Sequence, residues 1–247
     1  MTLEHWNNRA KLGPTSGSDD VIAKQLEARA IYGYMRDGMD ILEFGCGNGD
    51  TALGARARHE IDLTAMDFSH EMIRLARASR PQKDDITFGV GDLTEEPELG
   101  GKYDMVYTQR CLINLPTWEA QAKAIRYLTG LLKPGGCYIM CENSYDGLLQ
   151  INLLRENCGL TAITPPWHNI YFWDCSLNTL KINGVTLEDI NTYSSTYYFL
   201  SRVVNAYQAA GQGRQPAYDS DINTLALELP AFGNTAQGKI WVWRKNG

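Results

Sequence analysis

The sequence predicts an α/β fold: a mostly parallel seven-stranded sheet with an antiparallel last strand and helices on both faces. Three observations carry that expectation. Strand-like and helix-like segments alternate over the first two-thirds of the chain, which is how crossover-connected parallel sheets are written. A glycine-rich turn, "FGCGNGD", joins the first strand to the helix that follows. The tail "GKIWVWRK" alternates apolar residues, as an added antiparallel strand would.

In chain order, "SDDVIAKQLEARAIYGYM" reads as a helix capped by Ser18 or Asp19. "DILEFG" is the first strand and "DTALGARARH" the next helix. "IDLTAMD" is the second strand. "SHEMIRLARASR" follows, with Ser69 as cap and Met72, Leu75, Ala76 and Ser79 on one face. "ITFGV" and "YDMVYT" are the third and fourth strands. "TWEAQAKAIRYLTGLL" is a helix burying Ala124, Ile125, Leu128, Leu131 and Leu132, and "KPGG" stops it. "GCYIMCE" is the fifth strand. Beyond Glu142 the alternation loosens into a helix ("LLQINLLRENCG"), an aromatic loop ("ITPPWHNIYFWD"), a sixth strand ("GVTLEDINTY"), a helix ("STYYFLSRVVNAYQAA") and the last strand. The divisions expected are an N-terminal lid and helix over 1–36, a cofactor-binding core over 37–145, and an acceptor-site elaboration of the same domain over 146–247.

Composition narrows the function. With 247 residues and 44% hydrophobic content the chain suits one generous domain. No apolar run approaches the ~18–20 residues of a membrane helix, and "MTLEHWNNRAKLG" lacks the apolar region of a signal peptide. A cytoplasmic protein is the expectation, with no membrane insertion. A net charge of −6 argues against a nucleic-acid partner. The six cysteines form no CxxC pair and no metal-type spacing. Cys137 and Cys141 lie in a strand, where they serve as small apolar residues, and no metal is expected.

Glycines between a strand and a helix let the backbone approach a ligand at the helix N-terminus. The spacing here is Glu43-x-Gly45-x-Gly47-x-Gly49, with Asp50 where a dinucleotide fingerprint wants its third glycine. A carboxylate at that mouth is a poor neighbour for a pyrophosphate. Asp67 closes the second strand about 20 residues on, where an acid suits ribose hydroxyls. Asp92 follows the third strand and Gln109 and Arg110 the fourth, at the carboxyl edge where such sheets bind ligands.

Taken together, "EFGCGNG", "AMDFSHEMI", "GVGDL", "YDMVYTQRCLINL" and "LLKPGG" resemble, in order and spacing, the five motifs of the class I S-adenosylmethionine-dependent methyltransferases, from about Gly38 to Glu142. The resemblance implies a Rossmann-like fold and S-adenosyl-L-methionine as cofactor, with S-adenosyl-L-homocysteine as product. It implies that Gly45, Gly47 and Gly49 pass beneath the methionine part. Asp67 would hold the ribose with Phe68 beside it, and Asp92 the adenine amino group with Leu93 adjacent. Gln109 would face the reacting centre, and Glu43 is a structural or water-mediated element. Related enzymes often begin with an aromatic-x-x-Arg element, which Trp6 and Arg9 match; Arg9 would pair with the cofactor carboxylate, or else Trp6 packs a groove and Arg9 is solvated. The tail also resembles a bacterial subgroup tied to surface-polysaccharide and natural-product pathways.

Methyl transfer from sulfur has an excellent leaving group, so alignment dominates, but a hydroxyl nucleophile still gains from a base. His168, in "PPWHNIYFW", is the catalytic candidate; the competing reading is that it packs within its aromatic loop. Arg110, Glu142, Asn143 and Tyr171 are the substrate candidates; Tyr197 and Tyr198 either line the acceptor pocket or, the preferred reading, pack in the core. The expected partner is a small polar acceptor methylated on the oxygen of a sugar, nucleotide sugar or natural product. The alternatives are an amine acceptor and a cofactor-binding module without chemistry. A homo-oligomer is left open.

Overall fold

The computed structural model describes residues 3–79 and 86–247. Its sheet comprises β1 (Asp40–Phe44), β2 (Asp62–Asp67), β3 (Ile86–Val90), β4 (Tyr103–Gln109), β5 (Leu132–Asn143), β6 (Val185–Asn191) and β7 (Gly238–Lys245). The strand order is β3-β2-β1-β4-β5-β7-β6. Pairing is parallel from β3 through β5, whereas β7 runs antiparallel to both of its neighbours, β5 and β6. The expected hairpin-like tail is therefore a strand inserted between β5 and the edge strand β6.

Alternation along the central strands shows why helices must cover both faces. Ile41, Met105, Tyr107, Ile139, Ile240 and Val242 point into one core. Their neighbours Leu42, Val106, Tyr138, Met140, Trp241 and Trp243 point into the other. With a side-chain period of two, a strand buried on both sides is apolar along most of its length; the buried polar residues Glu43, Thr108, Glu142 and Asn143 are exceptions, near the carboxyl ends of β1, β4 and β5.

The helices are α1 (Leu3–Ala10), α2 (Val21–Tyr32), α3 (Asp50–Arg56), α4 (His70–Ala78), α5 (Trp118–Gly130), α6 (Tyr145–Asn157), α7 (Asp174–Thr179), α8 (Ser195–Phe199), α9 (Ala206–Gly211) and α10 (Asp221–Thr224). Side-chain caps start four of them. Asp20 accepts from Ala23 N–H, Ser69 from Met72 N–H, Thr117 from Ala120 N–H and Ser144 from Gly147 N–H. Capping satisfies N–H groups that have no partner inside the helix. The cap of α2 is Asp20 rather than Ser18 or Asp19. Ser79 is exposed and Ile73 takes its expected place on the buried face of α4. The expected end of that helix, Arg80, lies outside the described residues. Among the described residues no helix is long and apolar enough to cross a membrane.

Between α8 and α9 the chain stays helical, with a π-helical run over Leu200–Asn205. Arg202 in that run pairs with Asp20 Oδ2 at 2.7 Å and lies over the rings of Tyr197, Tyr198 and Tyr218. The cap of α2 is thereby tied to the C-terminal helical layer, and Tyr198 is fixed as a wall residue.

Gly147 in α6 shows how closely the segment before β7 is packed. A methyl group there would overlap the backbone carbonyl of Ala236, which has no free rotation to escape. Gly147→Ala is expected to lower stability by about 1–3 kcal/mol. Gly130→Ala, whose added methyl meets nothing within 4 Å, should be neutral or slightly stabilising. Urea midpoints of the two variants check the contrast.

Candidate active site

The carboxyl ends of β1, β2, β4 and β5 and the turn after β3 open into a cavity of about 650 Å³. It lies at the point where strand order reverses, between β1 and β4, the place where open parallel sheets bind ligands. Its cofactor half is built by the glycine turn. Gly45, Gly47 and Gly49 all have positive φ, at 82°, 54° and 80°, a region that suits glycine alone at no cost.

The three glycines nevertheless do different work. A side chain at Gly45 would strike Cys111, in the turn after β4. One at Gly47 would meet no atom within 4 Å and would project from the cavity wall. One at Gly49 would crowd Ala76 and Phe88 at 3.0 and 3.1 Å. Gly49 is absent from the cavity wall and packs α3 against α4 and β3, which corrects its expected role as a cofactor contact.

Asp67, 7% exposed, orders the turn: Oδ2 accepts the Gly47 N–H at 2.9 Å and Oδ1 the Ser69 N–H at 2.9 Å. Burial raises its carboxyl above the ordinary value, while the two N–H groups pull it back. A carboxylate has about four lone-pair sites, so acceptor capacity remains for ribose hydroxyls. Phe68, Asp92 and Leu93 line the same half. Asp92 Oδ1 caps a short turn by accepting from Thr94 N–H and its hydroxyl, at 2.8 and 2.7 Å. Glu43 forms part of the floor, 2% exposed. Burial pushes its pKa up to about 8, opposed by the Tyr107 hydroxyl and assisted by Asp67 and Asp50.

Gln109 reaches the cavity with both ends of its amide engaged. Nε2 donates to Glu27 at 2.6 Å and Oε1 accepts from the Thr51 hydroxyl at 2.7 Å. Arg110 adopts a left-handed backbone, φ 49°, held by Arg110 N–H to Cys141 O and by Asn114 Nδ2 to Arg110 O. Its Nε lies 3.1 Å from Glu27, a buried partner. Trp6 and Arg9 of α1 line the cavity. Arg9, however, donates to the carbonyls of Ser16 and Thr15, at 2.8 and 3.2 Å, and so anchors α1 to the following turn. Asn7 accepts from Ser69 at 2.6 Å and ties α1 to the cap of α4.

Glu142 does not line the cavity, and its expected role as a substrate residue is corrected. At 1% exposure, it accepts backbone N–H groups of Cys111, Leu112 and Ile113 at 3.0, 2.9 and 3.3 Å. That turn in turn carries the aromatic loop. Ile170 N–H donates to Ile113 O, Asn169 Nδ2 to Asn114 Oδ1, and Gln121 to the carbonyls of Leu112 and Ile170. His168 is consequently placed by a carboxylate it does not touch. Its Nδ1 is buried without a hydrogen-bond partner. Burial lowers its pKa below the ordinary value, and His5 and Arg9 act in the same direction.

Asn143 and Tyr171 also line the cavity. Sequence reasoning missed His5, whose ring centroid lies 5.4 Å from that of His168. The i, i+4 spacing of His5 and Arg9 on one helix was a usable signal. It also missed Lys24, paired with Asp50 at 2.9 Å, and Gln237, which enters from a segment with no local motif.

The donor set fits an adenosyl sulfonium. Gly47 offers bare backbone, Asp67 spare acceptor capacity, and the carboxylates of Asp67 and Asp92 favour a cation over a pyrophosphate, while Glu43 holds its proton at neutral pH and Asp50 is paired with Lys24. Comparison with known proteins agrees. Residues 41–136 match the family model described as "Methyltransferase domain". The chain is 29% identical over 116 residues to demethylmenaquinone methyltransferase from Staphylococcus aureus, covering 46% of this chain and 47% of that one. It is 29% identical over 106 residues to 27-O-demethylrifamycin SV methyltransferase from Amycolatopsis mediterranei, covering 41% and 38%. Each match spans less than half of the relative's length. A TehB-like SAM-dependent methyltransferase from Corynebacterium glutamicum shares the fold, with TM-score 0.58 and 16% identity over 99% of this chain and 98% of that one. Residues 41–136 are thus similar to a methyltransferase domain, on a fold shared with solved S-adenosylmethionine-dependent methyltransferases.

Two variants test the site's architecture. Glu142→Ala strands three N–H groups and is expected to lower stability by at least about 3 kcal/mol, read from the urea midpoint. Glu43 titrates from 4.5 when unfolded to about 8 when folded. The folded state therefore holds the extra proton between those values, and stability falls as pH rises through that window. Glu43→Gln, which stays neutral, should gain melting temperature relative to the wild type at pH 8 and show little gain at pH 5.

Proposed function

We propose that this chain transfers a methyl group from S-adenosylmethionine to a hydroxyl oxygen of a small polar acceptor, such as a sugar, nucleotide sugar or hydroxylated natural product, in the cytoplasm. The observation that carries this reading is His168: an imidazole with an unpaired, buried Nδ1 on the wall of the cavity that also holds the bare backbone of Gly47. When bound, the cofactor supplies an electrophilic methyl group on a positive sulfur. Asp67 and Asp92 orient its adenosine, and the acids of the wall favour its charge. His168, kept neutral by burial, accepts the acceptor's hydroxyl proton as the oxygen attacks. Arg110, Asn143 and Tyr171 hold the acceptor in line, which is where most of the acceleration arises. The names of the two relatives, one of them an O-demethyl compound's methyltransferase, support a small-molecule acceptor. The net charge of −6 is unfavourable to a nucleic acid.

Asp67→Ala should weaken S-adenosylhomocysteine binding by about 1.5–3 kcal/mol, measured by calorimetric titration; unchanged affinity removes Asp67 from the ribose. His168→Ala should lower turnover roughly 10²–10⁴-fold with cofactor affinity little changed. Because its pKa lies below 6.5, wild-type turnover should hold at neutral pH and fall only on the acid side of that value. Near-normal turnover of the variant returns His168 to a packing role.

A further inference from the structure

The ends of β5 and β7 carry a second, differently made part of the cavity. Asn143 ends β5, and Gln237 directly precedes β7, whose Gly238 pairs with Asn143 in the sheet. The Ser144 N–H donates to the Gln237 carbonyl at 2.7 Å, and the Phe172 N–H to the Asn143 carbonyl at 2.9 Å, setting Tyr171 beside both. The neighbouring Thr235 and Ala236 are buried, and Thr235 is bonded to Ser195 O at 2.8 Å. These side chains therefore stand on sheet backbone, and a site on such a support is more rigid than one on loops.

All three line the cavity and are more than nine-tenths buried, at 7%, 8% and 6% exposure for Asn143, Gln237 and Tyr171. Gln237 Nε2 donates to the Tyr171 hydroxyl at 3.3 Å, and the Asn143 amide lies beside the same hydroxyl. That leaves Asn143 Oδ1 and Gln237 Oε1 without partners, and the Tyr171 proton without an acceptor in the same group. Buried polar atoms are nearly always satisfied, so two orphan acceptors on one wall mark a place where a ligand's donors arrive.

Charge decides which donors. The acids on the cavity wall, Glu43, Asp50, Asp67 and Asp92, all come from β1, α3, β2 and the turn after β3. Glu27 is taken by Arg110 and Gln109, and Glu142 by the turn at 111–113. On the described wall, the charged residue after β4 is the cation Arg110. An ammonium would find no free carboxylate to meet it there, Glu27 being paired with Arg110; a neutral hydroxyl pair brings donors to both carbonyl oxygens and an acceptor for the Tyr171 proton.

We propose that Asn143, Gln237 and Tyr171 form an acceptor subsite that recognises a neutral pair of adjacent hydroxyl groups and discriminates against an amine. The inference rests on the methyltransferase reading of the same cavity and names the acceptor class within it.

The test uses the full chain saturated with S-adenosylhomocysteine and three ring probes read by saturation-transfer NMR titration: vicinal cyclohexanediol, cyclohexanol and cyclohexylammonium. The diol should bind at least about fivefold more tightly than either other probe, the gain of one added hydrogen bond. Gln237→Leu should erase that preference while melting temperature and S-adenosylhomocysteine affinity stay near the wild type. Equal binding of diol and mono-alcohol, absent diol binding, ammonium binding that matches or exceeds the diol, or a preference that survives in a folded Gln237→Leu protein each overturns the proposal. Should the Gln237→Leu protein not fold, the ranking of the three probes on the wild type decides alone. Failure of the wild type to bind S-adenosylhomocysteine in calorimetry would instead count against the methyltransferase reading itself.

Discussion

The hydrogen bond from the Gly47 N–H to Asp67 Oδ2, 2.9 Å long, is the contact on which the site depends. It joins the end of β1 to the end of β2 and holds the glycine turn in a shape that only glycine adopts without strain. The same carboxylate takes the Ser69 N–H, so the start of α4 is positioned with it. One buried acid thus aligns two turns and one helix around a single space, and it does so with lone pairs left over for a ligand.

The acceptor half has a parallel logic with a different carboxylate. Glu142 spends its oxygens on three N–H groups of one turn, and that turn carries the loop of His168 through Ile113 and Asn114. Each half of the cavity is therefore organised by an acid bonded to backbone, and the groups offered for chemistry are supported from behind. The two halves differ in charge. Acids gather at the cofactor end, where burial, with Asp67 and Asp50 adding to it, raises the pKa of Glu43 to about 8, while amide carbonyls, tyrosine hydroxyls and one arginine make up the other end.

Local patterns in the sequence carried the fold. The strand runs, the cap Ser69 and the buried face of α5 all follow from spacing within a dozen residues, which is the range over which helix and strand periods act. That Asp67, Asp92 and Gln109 line the cavity was legible because each ends or follows a strand at the carboxyl edge. What the sequence could not show were consequences of distant pairing. Gln237 meets Asn143 only because β7 inserts beside β5, and His5 meets His168 across more than half of the chain. Glu142 and Asn143 are adjacent in sequence, yet the pleat sends one into the turn at 111–113 and the other into the cavity. Gly49, read with its neighbours as a cofactor contact, is instead needed for the close approach of Ala76 and Phe88.

The most direct measurement is a crystal structure of the chain grown with S-adenosylhomocysteine. Electron density for the nucleoside along the Gly45–Gly47 backbone, with its ribose hydroxyls on the carboxylate of Asp67 and its sulfur facing the side of His168, is the predicted result. An unfilled space above Gly47 at saturating ligand, or the same molecule bound elsewhere on the chain, would contradict it.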